Sequence, residues 1–276
     1  MEATKAAGFA SIMTHFDLGP WAEARGRLAA ALADEHGARF IGVAAELPIT
    51  VVSDINFAVE EVADDERRRA NGDIAAAKKT FDAVVGSRND VEWRCSLSDP
   101  TRFLIQQSRA ADLIVVGRRA SYDQSDPSMS VWPGVVAMEA GRPLLVVPPE
   151  KDFLAGHKVV VAWKETREAR RAVKDALPIL KRANEVVVMT ASAHYRDESA
   201  EDVCSWLSRH GVACRPSLHA GEMTSVAGEV LDLVSDIGAD LIVSGAYGHS
   251  RMREWLFGGA TRDLLETSGA CLFMSH

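Results

Sequence analysis

GADLIVSGAYGHS, from Gly238 to Ser250, and AADLIVVGRRAS, from Ala110 to Ser121, are two versions of one pattern. Each sets an Asp before a short apolar run that ends in Gly. Each is followed by a loop and a second apolar run: GACLFMSH (Gly269 to His276) in one case, GRPLLVVPP (Gly141 to Pro149) in the other. Asp112 matches Asp240 and Gly117 matches Gly245 at an offset of 128, while Leu145 matches Leu272 at 127. Two separate anchors at nearly one offset predict a duplicated domain.

Working outward, KVVVAW (Lys158 to Trp163) and EVVVMTA (Glu185 to Ala191) are continuous apolar runs that suit parallel strands buried on both faces. A helical stripe runs through Ala169, Ala172, Val173, Ala176, Leu177 and Leu180, with Thr166 placed to cap it. Further helices are expected over 199–210, ended by Gly211, and over 224–237, with a strand near 212–218 between them. The first half repeats the order: strand FASIMTHF, a helix from Pro20 to His36 stopped by Gly37, and strand ARFIGVAA. A long charged helix over 56–85 and strand VEWRCS follow, then a helix capped by Asp99 ahead of Pro100. The expected fold class is α/β: two tandem Rossmann-like domains, each with a five-stranded, mainly parallel sheet flanked by helices. The expected boundaries are 1–150 and 157–276, joined through PPEKDFLAGH.

The chain has 276 residues, a formal net charge of −8 and a mean hydropathy of −0.04, enough for two ordinary cores. The acidic balance argues against nucleic acid and against an anionic membrane surface. No apolar stretch approaches the ~20 residues that cross a bilayer. The N-terminus shows no basic segment followed by a long apolar run, so a cytoplasmic location is expected. Cys95, Cys204, Cys214 and Cys271 form no CxxC pair and read as buried thiols. His194, His210 and His219 are too scattered to argue a metal site.

Ligands of such sheets bind beyond the carboxyl ends of strands, where the strand order reverses. The loop after LIVSG, Gly245 to Leu265, is therefore the candidate site. Gly245 and Gly248 allow the backbone to approach a ligand, and Gly258 and Gly259 precede the start of a helix at Ala260 and Thr261. Unpaired N–H groups and the helix dipole make such a start an anion site, to which the Thr261 hydroxyl can add. The spacing Gly-x2-Gly-x9-Gly resembles the signature of the universal stress protein family, and the element order resembles that family twice over. The resemblance implies that Gly245, Gly248, His249, Gly258, Gly259, Ala260 and Thr261 meet the phosphates and ribose of ATP or a related adenine nucleotide. It also implies a backbone contact to adenine at Ala191, and an intramolecular pseudo-dimer, with dimerisation of the whole chain left open.

Two departures stand in the second half. Gly259 replaces the family's hydroxyl residue, and Lys164 replaces its adenine-binding Asp, although lysine has no acceptor. The first half departs oppositely. Asp17 matches that Asp, but Ala120 stands for the second glycine and Pro133-Gly134 for the later pair. Trp163 reads as core. Arg251 and Arg253 read as solvated or as screening a phosphate, and Met252, Trp255, Leu256 and Phe257 as packing. The run Asp64 to Arg69 reads as a solvated helix face. No Gly-x4-Gly-Lys-Ser/Thr loop, Gly-x-Ser-x-Gly turn or Cys/His arrangement is present, so the expectation is not an enzyme. The leading expectation is a stress-response regulatory protein that binds nucleotide in its C-terminal domain. An interaction scaffold without nucleotide and a weak ATPase are the alternatives.

Overall fold

The structure is a computed structural model and describes residues 8–48, 58–118, 127–192, 199–220, 225–247 and 259–276. The first half contributes β1 (Ser11–His15), α1 (Ala22–His36), β2 (Arg39–Ala45), α2 (Ala58–Val85), β3 (Val91–Ser96), α3 (Pro100–Gln107), β4 (Leu113–Gly117), α4 (Pro133–Glu139) and β5 (Leu144–Val147). The second contributes β6 (Lys158–Trp163), α5 (Arg167–Asp175), α6 (Leu177–Leu180), β7 (Glu185–Ser192), α7 (Ser199–Arg209), β8 (Cys214–Ala220), α8 (Val226–Ile237), β9 (Leu241–Gly245), α9 (Ala260–Thr267) and β10 (Cys271–Ser275).

All the strands form one ten-stranded sheet, in the order β3-β2-β1-β4-β5-β10-β9-β6-β7-β8. Each half is parallel within itself and has the doubly wound order. The halves meet where β5 runs antiparallel to β10, with Val146 opposite Leu272, Leu145 opposite Phe273 and Leu144 opposite Met274. An offset of 127 carries Leu145 onto Leu272 and Val146 onto Phe273. The seam thus exchanges partners as a two-fold contact between identical subunits does.

Alternation along the strands feeds two apolar layers. On one face Ile12, Leu145, Val159, Val161 and Phe273 meet α1, α2, α5, α6 and α7. On the other Met13, Val146, Val160, Leu272 and Met274 meet α3, α4, α8 and α9. Both layers cross the seam, because β5 and β10 contribute to each.

The repeated aspartates close the start of the central strand in each half. Asp112 Oδ2 accepts from Ala10 N at 2.7 Å and Ser11 N at 3.0 Å. Asp240 Oδ2 accepts from Ala155 N at 2.9 Å and Gly156 N at 3.0 Å. Thr166 and Asp99 cap their helices, accepting from Ala169 N and Arg102 N. Gly37 ends α1 in the left-handed conformation, at φ 61°.

Three expectations are corrected. Pro20 lies before α1, which starts at Ala22 without a side-chain cap. The single stripe after β6 is two helices, because Pro178 supplies no N–H to continue α5. Cys95 is exposed, while burial pushes the Cys204 and Cys271 thiols up to about 12, where thiolate chemistry is suppressed. Among the described residues, no helix is long and apolar enough to cross a membrane.

Candidate functional site

In the second half the strand order reverses between β6 and β9, so the crevice lies beyond Trp163 and Gly245. Only residues 164–166 connect β6 to α5, against 16–21 between β1 and α1. This short link draws α5 tightly across β9. A Cβ on Gly245 would stand 2.6 Å from Ala169 N and 2.8 Å from Glu168 C, both helix backbone atoms. The absent side chain of Gly245 therefore admits the first turn of α5. Gly245→Ala should cost about 2 kcal/mol of stability in urea unfolding, since helix backbone cannot step aside. Gly117→Ala meets only the Arg25 Nη1 tip, 2.5 Å from the added Cβ, and should cost less than about 1 kcal/mol. Equal losses at the two positions would contradict this packing.

Beyond Gly245 the chain is held from several sides. Ala246 N donates to Ser275 O at 2.8 Å, and the His276 ring lies 2.8 Å from Ala246 O. Tyr247 takes a left-handed conformation at φ 53°, and its N–H donates to Thr261 Oγ1 at 3.4 Å. Thr261 is buried and sits in the first turn of α9. Gly259 is the N-cap and Ala260 the first helical residue, and among the described residues no side chain caps this end. Gly245, Gly259, Ala260 and Thr261 are thus gathered at the carboxyl end of β9. Gly248, His249 and Gly258 lie outside the described residues, as do Arg251, Arg253, His194, Ala120 and the apolar residues Met252, Trp255, Leu256 and Phe257. Ala191 lies on β7, one residue past the last β6–β7 pair, Trp163 opposite Thr190. Lys164 is exposed in the turn after β6. Trp163 is buried in the core and donates from Nε1 to Ser199 Oγ at 3.0 Å.

Glu168 stands beside this crevice and is 6% exposed. Burial would raise its pKa, but a backbone N–H and the paired Arg167, 2.7 Å away, hold it below the usual carboxylate range.

The first half fills the equivalent crevice, between β1 and β4, with charged side chains. Arg25 reaches back from α1, donating from Nε and Nη2 to His15 O at 3.0 and 2.9 Å, and from Nη2 to Asp17 Oδ2 at 3.1 Å. Asp17 Oδ1 accepts from Gly19 N at 3.0 Å. Burial works against the Asp17 carboxylate, but Arg25, His15 and the Gly19 N–H together hold its pKa below the usual value. Both of its oxygens serve this local network, and neither caps α1.

Sequence reasoning missed this cluster because Arg25 lies in a helix that reads as an ordinary amphipathic one. It also missed Arg69, in the run expected to be solvated, which pairs at 2.9 Å with the fully buried Glu46 at the end of β2. The signal available for the cleft was the pair Arg118-Arg119 directly after the Gly of β4. Among the described residues, no group of three or more His, Cys, Asp or Glu side chains could hold a metal ion.

No family model matches the chain, and no curated protein matches it. Solved structures do. A universal stress protein from Archaeoglobus fulgidus DSM 4304 aligns with a TM-score of 0.70 at 14% identity, over 96% of this chain and 95% of that chain. A functionally unknown protein from Pseudomonas aeruginosa PAO1 aligns with a TM-score of 0.55 at 15% identity, over 99% of this chain and 94% of that chain. At such identities the likeness speaks for the fold. Over nearly its whole length the chain has the tandem α/β fold of a universal stress protein.

Proposed function

We propose, from that fold, that the chain is a two-domain universal stress protein with domains at 1–150 and 157–276. Its C-terminal domain binds ATP or a related adenine nucleotide, and the protein works as a stress-response regulator in the cytoplasm. One observation carries the reading. The chain that leaves β9 at the reversal of strand order comes back beside it to begin α9, where the Tyr247 N–H meets Thr261 Oγ1 and no described side chain caps the first turn. Such an end offers N–H groups and a partial positive charge to phosphate. Gly245, Gly248, His249, Gly258, Gly259, Ala260 and Thr261 are the proposed contacts for phosphate and ribose, and Ala191 the contact for adenine. The proposed role is a change of shape or partner affinity on binding, with little or no turnover.

Calorimetry with ATP, ADP and AMP on the full chain tests this. Binding should weaken at least tenfold, about 1.4 kcal/mol, in Gly248→Val and Gly258→Val. No heat and no thermal shift at millimolar nucleotide would remove the proposal. Phosphate release that survives purification and falls with the same substitutions would convert it into a weak ATPase.

A second reading, an interaction scaffold without nucleotide, draws on the packing of α5 onto Gly245 and on Lys164 at the family's Asp position. Calorimetry decides between the two.

A further inference from the structure

The cysteines are spread across the ten-stranded sheet, and two of them meet. Cys95 lies on β3 at one edge, and Cys271 on β10 near the centre. Cys204 lies in the middle of α7, and Cys214 opens β8, the strand at the other edge. Val212 N donates to Leu207 O at 3.1 Å, and the buried Val212 side chain turns the chain back beneath the helix it has just left. The Cys214 thiol then donates to Cys204 O at 3.4 Å, and the two thiols lie within hydrogen-bonding reach of each other. All the cysteines are free. Cys204 is 7% exposed and belongs to the apolar layer, whereas Cys214 packs against that layer and is half-buried. One sulfur of the pair can be reached from solvent, and the other stands behind it. Burial, and after it the contact with Cys214, pushes the Cys204 thiol up to about 12, so Cys204 is not the sulfur that reacts first.

We infer that Cys204 and Cys214 form an oxidative modification site, a dithiol that a peroxide closes to a disulfide, with Cys214 meeting the peroxide and Cys204 resolving it. In the first step the Cys214 thiolate attacks one peroxide oxygen. An S–O bond forms, the O–O bond breaks, and the departing hydroxide takes up a proton as water, leaving a sulfenic acid on Cys214. In the second step Cys204 Sγ attacks Cys214 Sγ. The S–S bond forms, the S–O bond breaks, and the departing hydroxide takes the Cys204 proton as a second water. Two thiols are oxidised to one disulfide, and one peroxide is reduced to two waters. The sulfurs must close to about 2.0 Å, and β8, as the last strand of the sheet, can follow. The bond staples α7 to the sheet edge, and an external thiol releases it by exchange. This assignment does not depend on the nucleotide proposed for the second half.

The test treats the full chain with hydrogen peroxide, blocks the remaining thiols with iodoacetamide in denaturant, and reads a tryptic digest by mass spectrometry. Trypsin cuts after Arg209, between the two cysteines, so the disulfide appears as two joined peptides that dithiothreitol separates. That joined pair should be the main oxidised form of Cys204 and Cys214, while Cys271 stays a thiol. In Cys204→Ser the Cys214 sulfenic acid should accumulate and take up dimedone. In Cys214→Ser the oxidation of Cys204 should be at least about tenfold slower than in wild type. Should either variant not fold, the wild-type digest still decides. Recovery of both residues as alkylated thiols, under peroxide that oxidises the exposed Cys95, would overturn the assignment. So would oxidation of Cys271 in step with the pair, which marks an opened chain, or undiminished oxidation of Cys204 in folded Cys214→Ser.

Discussion

As the pH falls from 6.5 to about 4, His15 alone should remove about 3 kcal/mol of folding stability, at about 1.4 kcal/mol per pH unit. The ring is 1% exposed, set among Asp17, Arg25 and the backbone of Met129. Burial lowers its pKa to about 4, Asp17 Oδ2 at 3.5 Å pulls it upward, and Arg25 pushes it down again. The unfolded chain takes up a proton near 6.5, while the folded chain refuses it until about 4. The contribution is therefore complete above the unfolded value, falls as pH falls, and levels off below about 4. Asp17 adds a second loss at lower pH. Its folded pKa is depressed, so its contribution is present above the unfolded value and disappears as pH drops through the folded one. Urea midpoints at about pH 7, 5.5 and 4 for wild type and His15→Leu separate the two. The variant should have a shallower slope within this window, by up to about 1.4 kcal/mol per pH unit. An unchanged slope would mean that the buried imidazole is not its source.

Phe81→Ala should cost about 3–5 kcal/mol. Phe81 is 3% exposed and projects from α2 into a nest of rings. Its centroid lies 5.5 Å from Phe16 edge-on, 5.7 Å from Phe40 in a stacked arrangement and 5.1 Å from Trp93. Beneath it Gly42 has no side chain, and a Cβ there would stand 2.4 Å from the ring. The backbone of β2 thus forms the floor. A paired sheet strand cannot rise to fill the space the ring leaves, and a cavity that does not collapse gives the larger losses. Chemical unfolding monitored by far-ultraviolet circular dichroism measures this. A loss below about 1 kcal/mol would show that α2 settles into the gap.

The strands were legible because residues buried on both faces must be apolar without interruption. KVVVAW coincides with β6, and EVVVMTA lies within β7, both interior strands of the sheet. The offset of 128 was legible because Asp112 and Asp240 do the same work at the start of a central strand, and that work depends on local sequence. The role of Gly245 was not. A glycine required by a helix some 80 residues away looks like one required by a ligand, because each asks only for a missing Cβ. Arg25 escaped for the same reason. Its partners His15 and Asp17 come from the preceding strand and turn, and nothing in WAEARGRLAA says that its fifth residue folds back. The merging of two sheets into one also went unread. LLVV and CLFMS have the character of internal strands, but neither run names its neighbour.

That neighbour settles how freely the halves can differ. Had β5 paired with the same strand of an identical molecule, every substitution would have appeared on both sides of the dyad and struck both crevices together. With the two edges carried on one polypeptide, Leu145 opposes Phe273 rather than its own copy, and an exchange in either lobe is felt once. Covalent duplication thereby released the lobes from symmetry. Arginine could settle over the glycine of one crevice while a helix backbone closed on the glycine of the other, and neither change had to be survived twice.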